Sequence, residues 1–514
     1  MNVAQLLEGS AARHGAVDAW RFGEQRATYA DLLGRVQRVS AGLHRSGLRP
    51  GDRVILLLPN CPELVEVLFA CMWGGLVAVP LNWHLHPDEV AYIQNHCSAK
   101  AILCDQPTHA AAQRLLVVDQ APAVIDRSGE VGTAYADVAA PGERLALHEA
   151  DPADPAWLFY TSGTTGRPKG ATLSHRNLLT MTMAYLADVD PVGNGAVFAH
   201  AAPLTHGSGL YLMPSIARAA TNVIATAPRF DGAEYLALIE RHAATHAAFL
   251  APTMLNRVVA AVESAAVDVS SLRSVVVGGA PLYVQDLARA SAALGPIVTQ
   301  IYGQGESPMT ITVMRPDEAP TAARSGSCGR PFVGVRVATV DSAGRPTRPG
   351  EPGEVVVSGD VVMRGYWNDS AATGASIKDG RLWTGDVGYF DDEGYLYLTD
   401  RIKDVIITGG SNVYPREVEE TLLHHPAVEA VTVVGAPDPE WGESVCAFVV
   451  PCAGADPTEP ELREHCRAHI AAFKVPRRVV FVSALPTNAA GKVLKREVIA
   501  RYFGDPAVSE AVST

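Results

Sequence analysis

One segment of the chain, Tyr160 to Gly170, combines the residue types that bind phosphate groups. It reads YTSGTTGRPKG and directly follows the apolar run Ala156–Phe159. Glycines let backbone N–H groups approach an anion closely. Serine and threonine hydroxyls add hydrogen-bond donors, and Lys169 adds a positive charge. The segment therefore predicts a loop that binds phosphate.

The spacing of the glycines, in this segment and near residue 305, excludes two common nucleotide motifs. The P-loop pattern GxxxxGK[ST] is not matched, because two residues separate Gly166 from Lys169. The dinucleotide pattern GxGxxG also fails, because Pro308 stands where a third glycine would follow Gly303 and Gly305. A flexible β-hairpin turn is disfavoured, since such turns use about two to five residues. An uncommon type of phosphate loop is the remaining interpretation.

Six further segments place catalytic residue types between small residues. They are Pro203–Gly209, Gly278–Pro281, Tyr302–Glu306, Trp383–Asp386, Asp400–Gly410 and Pro486–Lys492. Each segment alone is weak evidence, since a lone histidine such as His206 is more often a packed core residue than a ligand. In this order along the chain they are specific. The chain resembles the AMP-forming adenylating superfamily of acyl-CoA synthetases, carrier-protein-loading adenylation domains and luciferases, over nearly its full length.

The resemblance implies two half-reactions that use ATP, Mg²⁺ and coenzyme A. A carboxylate attacks the α-phosphate of ATP to give acyl-AMP and pyrophosphate, and a thiol then displaces AMP. Phosphoryl transfer depends on positioning and charge neutralisation more than on a protein nucleophile. Among the superfamily's members the acid–CoA ligase branch is the expected one. A transfer to the phosphopantetheine arm of a carrier protein, or a non-catalytic binding or regulatory role, are the alternatives.

The resemblance also assigns a nucleotide site. The matching residues are Thr161, Ser162, Gly163, Thr164, Thr165, Gly166, Lys169, Gly279, Ala280, Pro281, Tyr302, Gly303, Asp386, Arg401 and Lys492. The loop would hold the β- and γ-phosphates, and Lys169 would either support the loop or contact phosphate. Tyr302 would stack on adenine, and Asp386 would accept hydrogen bonds from the ribose hydroxyls. Arg401 would contact the ribose or a phosphate.

Four residues are expected to take part in catalysis: Lys492, Glu306, His206 and Thr161. Glu306 matches the family's magnesium ligand, and a hard cation favours a carboxylate. Lys492 matches the lysine that bridges the incoming carboxylate and the α-phosphate, where negative charge accumulates. His206 would orient the carboxylate or act as a gate.

The C-terminal segments are expected to serve the second half-reaction. Lys403 matches the family's hinge, about which the C-terminal domain would swing after adenylation. Gly409 and Gly410 would then line a narrow pantetheine tunnel that has no room for side chains. The coenzyme A nucleotide would be received through stacking and phosphate contacts by Trp441, Phe473, Lys474 and Arg477.

The expected acyl pocket is formed by small residues and one histidine. They are His206, Gly207, Ser208, Gly278, Gly279, Gly303 and Gly305. Small walls should leave volume, so we expect a medium-sized or bulky hydrophobic acid (fatty, aryl or alicyclic) as the substrate. Two positions depart from the family pattern: Gly305 replaces a threonine, and Thr487 replaces a basic residue. These departures affect the expected rates of the two half-reactions.

Composition and charge limit the partners. The net charge of −13 argues against nucleic acid, which requires clustered basic surface. No apolar run approaches the roughly 20 residues of a transmembrane helix, and no secretory signal is evident, so a cytoplasmic location is expected. The eight scattered cysteines are expected to be reduced and largely buried. The expected partners are the acid, ATP and coenzyme A, and a homodimer is left open.

The order of apolar runs predicts an α/β fold. From about residue 28 to 300, β-like runs alternate with helical stretches, which indicates βαβ units and a mostly parallel sheet. After about residue 325, dense Gly and Pro and short β runs indicate an antiparallel subdomain. We expect an N-terminal adenylation domain, 1–401, and a small mobile α+β domain, 402–514, that carries Lys492.

Overall fold

The computed structural model describes most of the chain. The described residues are 1–116, 121–161, 168–227, 229–264, 267–318, 324, 326–401, 404–408, 411–438, 441–487 and 493–504, without the side chains of 400, 401, 411, 412 and 442. The predicted phosphate-loop residues 162–166, the predicted hinge Lys403, the tunnel pair Gly409 and Gly410, and Lys492 therefore lie outside the described residues.

Helices and strands alternate through the N-terminal part of the chain. The helices are α1 (Gln5–His14), α2 (Tyr29–Arg45), α3 (Pro62–Trp73), α4 (Pro87–Cys97), α5 (His109–Leu115), α6 (Tyr135–Val138), α7 (His175–Asp188), α8 (Gly207–Leu210), α9 (Leu212–Ala217), α10 (Gly232–His242), α11 (Pro252–Ser264), α12 (Val284–Leu294), α13 (Ser370–Ser376), α14 (Pro415–Leu423), α15 (Glu459–His469) and α16 (Lys495–Ile499). The strands are β1 (Asp18–Phe22), β2 (Gln25–Thr28), β3 (Arg53–Leu56), β4 (Val77–Pro80), β5 (Ala101–Cys104), β6 (Ala123–Asp126), β7 (Thr133–Ala134), β8 (Pro155–Thr161), β9 (Lys169–Ser174), β10 (Val197–His200), β11 (Thr221–Ile224), β12 (His246–Leu250), β13 (Ser274–Val277), β14 (Val298–Gln304), β15 (Ser307–Met314), β16 (Arg330–Pro331), β17 (Arg336–Val340), β18 (Gly353–Ser358), β19 (Ile377–Lys378), β20 (Arg381–Phe390), β21 (Leu396–Arg401), β22 (Ile406–Thr408), β23 (Ser411–Val413), β24 (Val428–Asp438), β25 (Gly442–Pro451) and β26 (Arg478–Phe481).

Two large sheets form the N-terminal part of the molecule. One has the strand order β7-β6-β5-β3-β4-β8-β9 and the other β16-β15-β14-β13-β12-β10-β11-β1-β2. Their inner strands are parallel, as in β3 with β4 and β12 with β13, and are joined through helices. The strands are buried on both faces, which explains their continuous Val, Ile, Leu and Ala runs. The predicted α/β class with βαβ units is confirmed.

Two further sheets follow along the chain. The first is antiparallel, with the order β17-β18-β20-β19 and β21 paired to β20. The second has the order β23-β22-β25-β24, with β26 parallel to β25, and packs against α14 and α15. The predicted antiparallel subdomain and the C-terminal α+β unit are therefore present. The domain boundary at residues 401 and 402 stays a prediction.

The core of the molecule is large and apolar. Trp73, Trp157 and Tyr29 are among its largest fully buried side chains. The cysteines are free, and all except Cys452 are buried, as expected from their apolar surroundings. In the described part of the chain, no helix is long and apolar enough to cross a membrane.

Candidate active site

The predicted phosphate loop leaves one strand and enters its antiparallel neighbour. Strands β8 and β9 pair from Pro155 with Ser174 to Thr161 with Lys169, so the loop joins two adjacent strands. The segment therefore connects two antiparallel strands as a hairpin does, and the expectation that it is not a hairpin is wrong. That expectation depended on the length of the segment, but four of its residues belong to the strands: Tyr160, Thr161, Lys169 and Gly170. The paired stems hold the two ends of the loop at a fixed distance from each other.

Thr161, at the end of β8, meets Glu306 from the turn between β14 and β15. The Thr161 Oγ1 hydroxyl donates to Glu306 Oε1 at 3.4 Å, which is a long bond. The Tyr366 hydroxyl donates to the same oxygen at 2.7 Å. The Glu306 side chain is buried, and its backbone carbonyl accepts from Met363 N at 2.8 Å. Two sequence motifs that are far apart in the chain thus meet at one carboxylate.

The chemistry of this carboxylate fits a magnesium ion. Mg²⁺ is usually held by one or two carboxylates together with substrate phosphates and water. Glu306 lies beside the end of the predicted phosphate loop, and both hydrogen bonds described above go to Oε1. Glu306 is therefore the residue that would hold the ion. When bound, the ion would neutralise phosphate charge during the reaction.

A second carboxylate, Asp386 on β20, is held by two side chains of β14. The Tyr302 hydroxyl and Gln304 Nε2 each donate to Asp386 Oδ2 at 2.6 Å. Gln304 Nε2 also donates to the Thr384 carbonyl oxygen at 3.0 Å. Burial, and then the neighbouring Asp386 charge, raise the pKa of Tyr302 well above its usual range, so the hydroxyl remains a neutral donor. These bonds fix the carboxylate that is predicted to bind ribose.

Arg401 lies across the strand pair from Asp386. The two residues are register partners of β20 and β21, although the Arg401 side chain is outside the described part. The structure therefore brings their backbones together. The ribose role of Asp386, the adenine role of Tyr302 and the contact made by Arg401 stay predictions.

His206 is a neutral imidazole on the apolar side of the site. Burial lowers its pKa to about 4. Its ring lies edge-on to Phe159 with centroids 5.6 Å apart, and Nδ1 is 3.0 Å from the Thr205 hydroxyl oxygen. A neutral imidazole donates or accepts a hydrogen bond but adds no charge near pH 7. This state suits the orientation of a carboxylate rather than ion pairing with it.

The expectation that missing side chains leave open volume is wrong at several glycines. A Cβ on Gly207 would collide with Met309 Cε, and one on Gly278 would lie 2.6 Å from Ile301 Cδ1. On Gly303 it would lie 2.5 Å from Met309 Cα. Neighbouring groups have moved into the space that the side chains would occupy, because protein interiors pack densely. These glycines permit close packing.

The remaining predicted pocket residues are used in different ways. A Cβ on Gly305 would lie 2.7 Å from Thr161 Cγ2 and 2.8 Å from Phe159 Cδ1. The Ser208 hydroxyl is buried and 2.8 Å from His200 Nδ1, inside the core. Gly279 adopts φ +82°, which favours glycine, and a Cβ there would be 3.4 Å from Phe249 Cζ. The acyl pocket itself stays a prediction.

The predicted coenzyme A residues form two separate contacts. The Arg477 guanidinium lies 4.7 Å from the centroid of the Trp441 ring, and both residues reach the surface. Lys474 Nζ lies 2.6 Å and 2.7 Å from the two carboxylate oxygens of Glu417, and Phe473 is exposed. A phosphate contact by Lys474 would require this ion pair to open. The coenzyme A assignment stays a prediction.

Sequence reasoning missed four side chains of the site. They are Gln304, Tyr366, Phe249 and Met309. Gln304 lies inside the Tyr302–Glu306 motif, so its position was a usable signal. Tyr366 has no such local signal, because only the tertiary structure brings it to Glu306.

A second group of potential metal ligands lies outside this site. Cys104, His109 and Asp126 place one donor atom each within 4.8 Å of one another. Asp126 Oδ1 is 2.9 Å from His109 Nε2, and its Oδ2 accepts from Ser128 and from two backbone N–H groups. The group is thus held together by hydrogen bonds without an ion.

Comparisons with known proteins match the chain to one family along most of its length. A family model described as AMP-binding enzyme matches residues 7–367, and one described as AMP-binding enzyme C-terminal domain matches residues 417–492. A feruloyl-CoA synthase from Amycolatopsis sp. is 40% identical, with 94% of this chain and 96% of the relative covered. A medium/long-chain-fatty-acid–CoA ligase, FadD8 from Mycobacterium tuberculosis, is 34% identical, with 97% and 90% covered. The solved amide bond synthetase McbA from Marinactinospora thermotolerans is 32% identical with a TM-score of 0.89, covering 97% of this chain and 99% of that one.

Proposed function

The chain belongs to the AMP-binding enzyme family and is an AMP-forming acyl-CoA synthetase that uses ATP, Mg²⁺ and coenzyme A, and from this premise we propose that its acid is aromatic, of about the size of a cinnamic acid. The observation that best supports the site is the hydrogen bond from Thr161 Oγ1 to Glu306 Oε1, at 3.4 Å, beside the predicted phosphate loop. It joins the phosphate-binding segment to a buried carboxylate that suits Mg²⁺.

The proposed adenylation step uses these residues for positioning. An oxygen of the substrate carboxylate attacks the α-phosphorus of ATP, the bond to the β-phosphate oxygen breaks, and pyrophosphate leaves. Asp386, held by Tyr302 and Gln304, would fix the ribose. The phosphate loop would hold the leaving group, and Lys492 would bridge the carboxylate and the α-phosphate. Preorganised charge of this kind lowers the barrier because it needs no rearrangement during the reaction.

The second step transfers the acyl group to coenzyme A. The thiol sulfur attacks the acyl carbon, the bond to the AMP oxygen breaks, and AMP leaves. We assign the exposed Trp441 and Arg477 to the coenzyme A nucleotide. The Trp441 ring suits stacking on a base, and the Arg477 guanidinium suits contact with a phosphate. The swing about Lys403 that would bring Gly409 and Gly410 to the site is part of this proposal.

The aromatic preference rests on the apolar side chains around His206. Phe159 meets the His206 ring, and Phe249 and Met309 pack over Gly207. Flat aromatic walls and a methionine favour a planar substrate through stacking and sulfur–aromatic contacts. The 40% identity to a feruloyl-CoA synthase supports the same class.

A panel of acids tests the proposal. Pyrophosphate release would be measured with ferulate, benzoate, octanoate, palmitate and acetate, with either coenzyme A or a phosphopantetheinylated carrier protein as acceptor. We expect ferulate to have the highest kcat/KM and coenzyme A to be the acceptor. If palmitate or acetate gives the highest value, the aromatic assignment fails. If AMP is released with the carrier protein and not with coenzyme A, the assignment of coenzyme A as the acceptor is wrong.

A variant separates the two half-reactions. Lys492→Ala should lower pyrophosphate release about 10²–10³-fold, the usual cost of removing a donor from developing charge. The same variant should still convert synthetic feruloyl-AMP and coenzyme A to product at close to the wild-type rate. Equal losses in both assays would contradict a role confined to adenylation.

A further inference from the structure

We propose that Tyr366 is a positioning residue for Glu306, and that Lys169 holds the Tyr366 ring through a cation–π contact. The inference rests on the proposed function, in which Glu306 binds Mg²⁺. It assigns to the proposed reaction a residue that lies outside the motifs described above. It also chooses between the two roles open for Lys169, in favour of support.

The first observation is the hydrogen bond between the two side chains. The Tyr366 hydroxyl donates to Glu306 Oε1 at 2.7 Å, a shorter distance than the 3.4 Å from Thr161 to the same oxygen. Bonds from hydroxyl to ionised carboxylate are short and strong. Tyr366 therefore fixes the rotation of the carboxyl group more firmly than Thr161 does.

The backbone of Tyr366 is attached to the strand that leaves the phosphate loop. Tyr366 forms a bridge with Ala171, and Trp367 N donates to the Gly170 carbonyl at 2.8 Å. Tyr366 N also donates to the Thr373 hydroxyl at 2.8 Å. Any movement of the start of β9 is thus passed directly to the residue that holds Glu306.

Lys169 supplies the second constraint on the ring. Its ammonium nitrogen lies 5.3 Å from the centroid of the Tyr366 ring, within the range of a cation–π attraction. Both residues line a cavity of about 180 Å³, which Tyr92 and His96 also line. The Tyr366 ring also packs against the apolar core. The hydroxyl bond and the ammonium group therefore act together with this packing on the orientation of the ring.

The combined effect is a mechanical connection between the phosphate loop and the metal carboxylate. Lys169 is the first residue after the loop, Tyr366 contacts it, and Glu306 accepts from Tyr366. This connection would keep Glu306 in a fixed position relative to the strand that leaves the phosphate loop.

The variant Tyr366→Phe tests this connection, because it removes the hydroxyl and keeps the ring. The Mg²⁺ concentration for half-maximal pyrophosphate release should rise about 10-fold, the usual effect of losing a partner behind a metal ligand. The Kd of AMP, which needs no metal and uses the Asp386 side of the site, should stay unchanged. The matched control is Tyr135→Phe, which deletes another buried tyrosine–carboxylate bond, from Tyr135 to Glu66 at 2.6 Å. It should change neither value.

Glu306→Gln separates the failure of this inference from the failure of the proposed function. If Glu306→Gln leaves the Mg²⁺ dependence unchanged, Glu306 is not the metal ligand and the proposed site is wrong. If Glu306→Gln shifts it and Tyr366→Phe does not, only the role of Tyr366 is refuted. A rise in the Kd of AMP in Tyr366→Phe would show a general disturbance of the site, and it would also refute the role.

The part played by Lys169 is tested by a double-mutant cycle. Lys169→Met should raise the half-maximal Mg²⁺ concentration in the same direction as Tyr366→Phe. Since Lys169 acts through Tyr366, the double variant should show a smaller shift than the product of the two single shifts. A fully multiplicative effect would mean that Lys169 contacts phosphate independently of Tyr366.

Discussion

At the scale of single residues, the site consists of two carboxylates that neighbouring side chains hold in place. Asp386 accepts from Tyr302 and Gln304, and Glu306 accepts from Tyr366 and Thr161. Fixed carboxylates lose little freedom when a ligand binds, so the binding energy is available for orientation. Each supporting hydrogen bond should therefore affect substrate binding.

Tyr302→Phe should raise the KM for ATP about 10-fold, because a hydrogen bond to a charged group contributes about 1.5–3 kcal/mol. The kcat should change less, since Asp386 is proposed to hold the ribose and not the reacting atoms. Steady-state kinetics with ATP as the varied substrate measure both values. Tyr397→Phe is the control: it removes a hydroxyl that donates to Asp391 at 3.3 Å, away from the site. A larger KM effect in the control would contradict the prediction.

The glycine at position 305 is matched to its neighbours in this chain. A Cβ there would meet Thr161 and Phe159, at 2.7 Å and 2.8 Å. Gly305→Thr, which restores the family residue, should therefore lower kcat/KM for pyrophosphate release by about 10-fold, an overpacking cost of the usual 1–3 kcal/mol. Gly305→Thr combined with Phe159→Ala should recover part of the loss. A gain in activity from Gly305→Thr alone would show that the missing hydroxyl, and not the space, is limiting.

At the scale of elements, the N-terminus of α7 organises the segment that carries Tyr366. Ser174 and Asn177 form a capping box at the end of β9. Asn177 Nδ2 also donates to the carbonyl oxygens of Asp360 and Val362, at 2.7 Å and 2.8 Å. Met363 follows and donates its N–H to the Glu306 carbonyl. The cap of α7 and the residue Glu306 are thus connected through one short segment.

Asn177→Ala should lower the free energy of unfolding by about 2–3 kcal/mol, because it removes the half of the capping box that accepts from Ser174 N and also removes the two hydrogen bonds to the carbonyl oxygens of Asp360 and Val362. Urea denaturation followed by circular dichroism measures this change. The comparison is Thr458→Ala, which removes the exposed capping box of α15 and should cost about 1 kcal/mol. Equal losses in the two variants would mean that the contacts of Asn177 with 360–362 add nothing to stability.

At the scale of the whole molecule, the apolar core makes stability sensitive to mild acid. Burial lowers the pKa of His175, His200 and His206 to about 4, below the ordinary value near 6.5. Between these two values the unfolded chain binds more protons than the folded one. The three histidines therefore contribute no loss of stability above about pH 6.5, and the free energy of unfolding falls as the pH drops toward 4.

Urea midpoints at pH 7.5, 6.0 and 5.0 should decrease in that order. The loss of stability that comes from protonation of paired carboxylates occurs at lower pH, because the pKa values of carboxylates are lower than those of histidines. His200→Gln should have a smaller dependence on pH over this interval than the wild type, whatever its stability at pH 7.5. A midpoint that is constant from pH 7.5 to 5.0 would contradict the prediction.

Many elements could be predicted because their signals are local. Pro62 begins α3, Ser174 caps α7, and the apolar run Ala101–Cys104 is a strand within the alternation that the sequence predicts. Capping residues and continuous apolar runs act over a few residues, so they are visible in the sequence. The volume of the acyl pocket was misjudged for the opposite reason. A glycine in the sequence shows that a side chain is missing, but it does not show which neighbouring group fills the space.

The amino-acid sequence by itself determined the type of reaction, because the motifs that contain the predicted phosphate loop, Glu306 and Asp386 occur in a characteristic order along the chain. Only the tertiary structure decided how these residues are held. Tyr366 reaches Glu306, and Tyr302 and Gln304 reach Asp386, across separations of 60 to 84 residues. Hydrogen bonds act over about 3 Å in space and depend on which strands become neighbours. That proximity is a property of the packed sheets and not of any single motif.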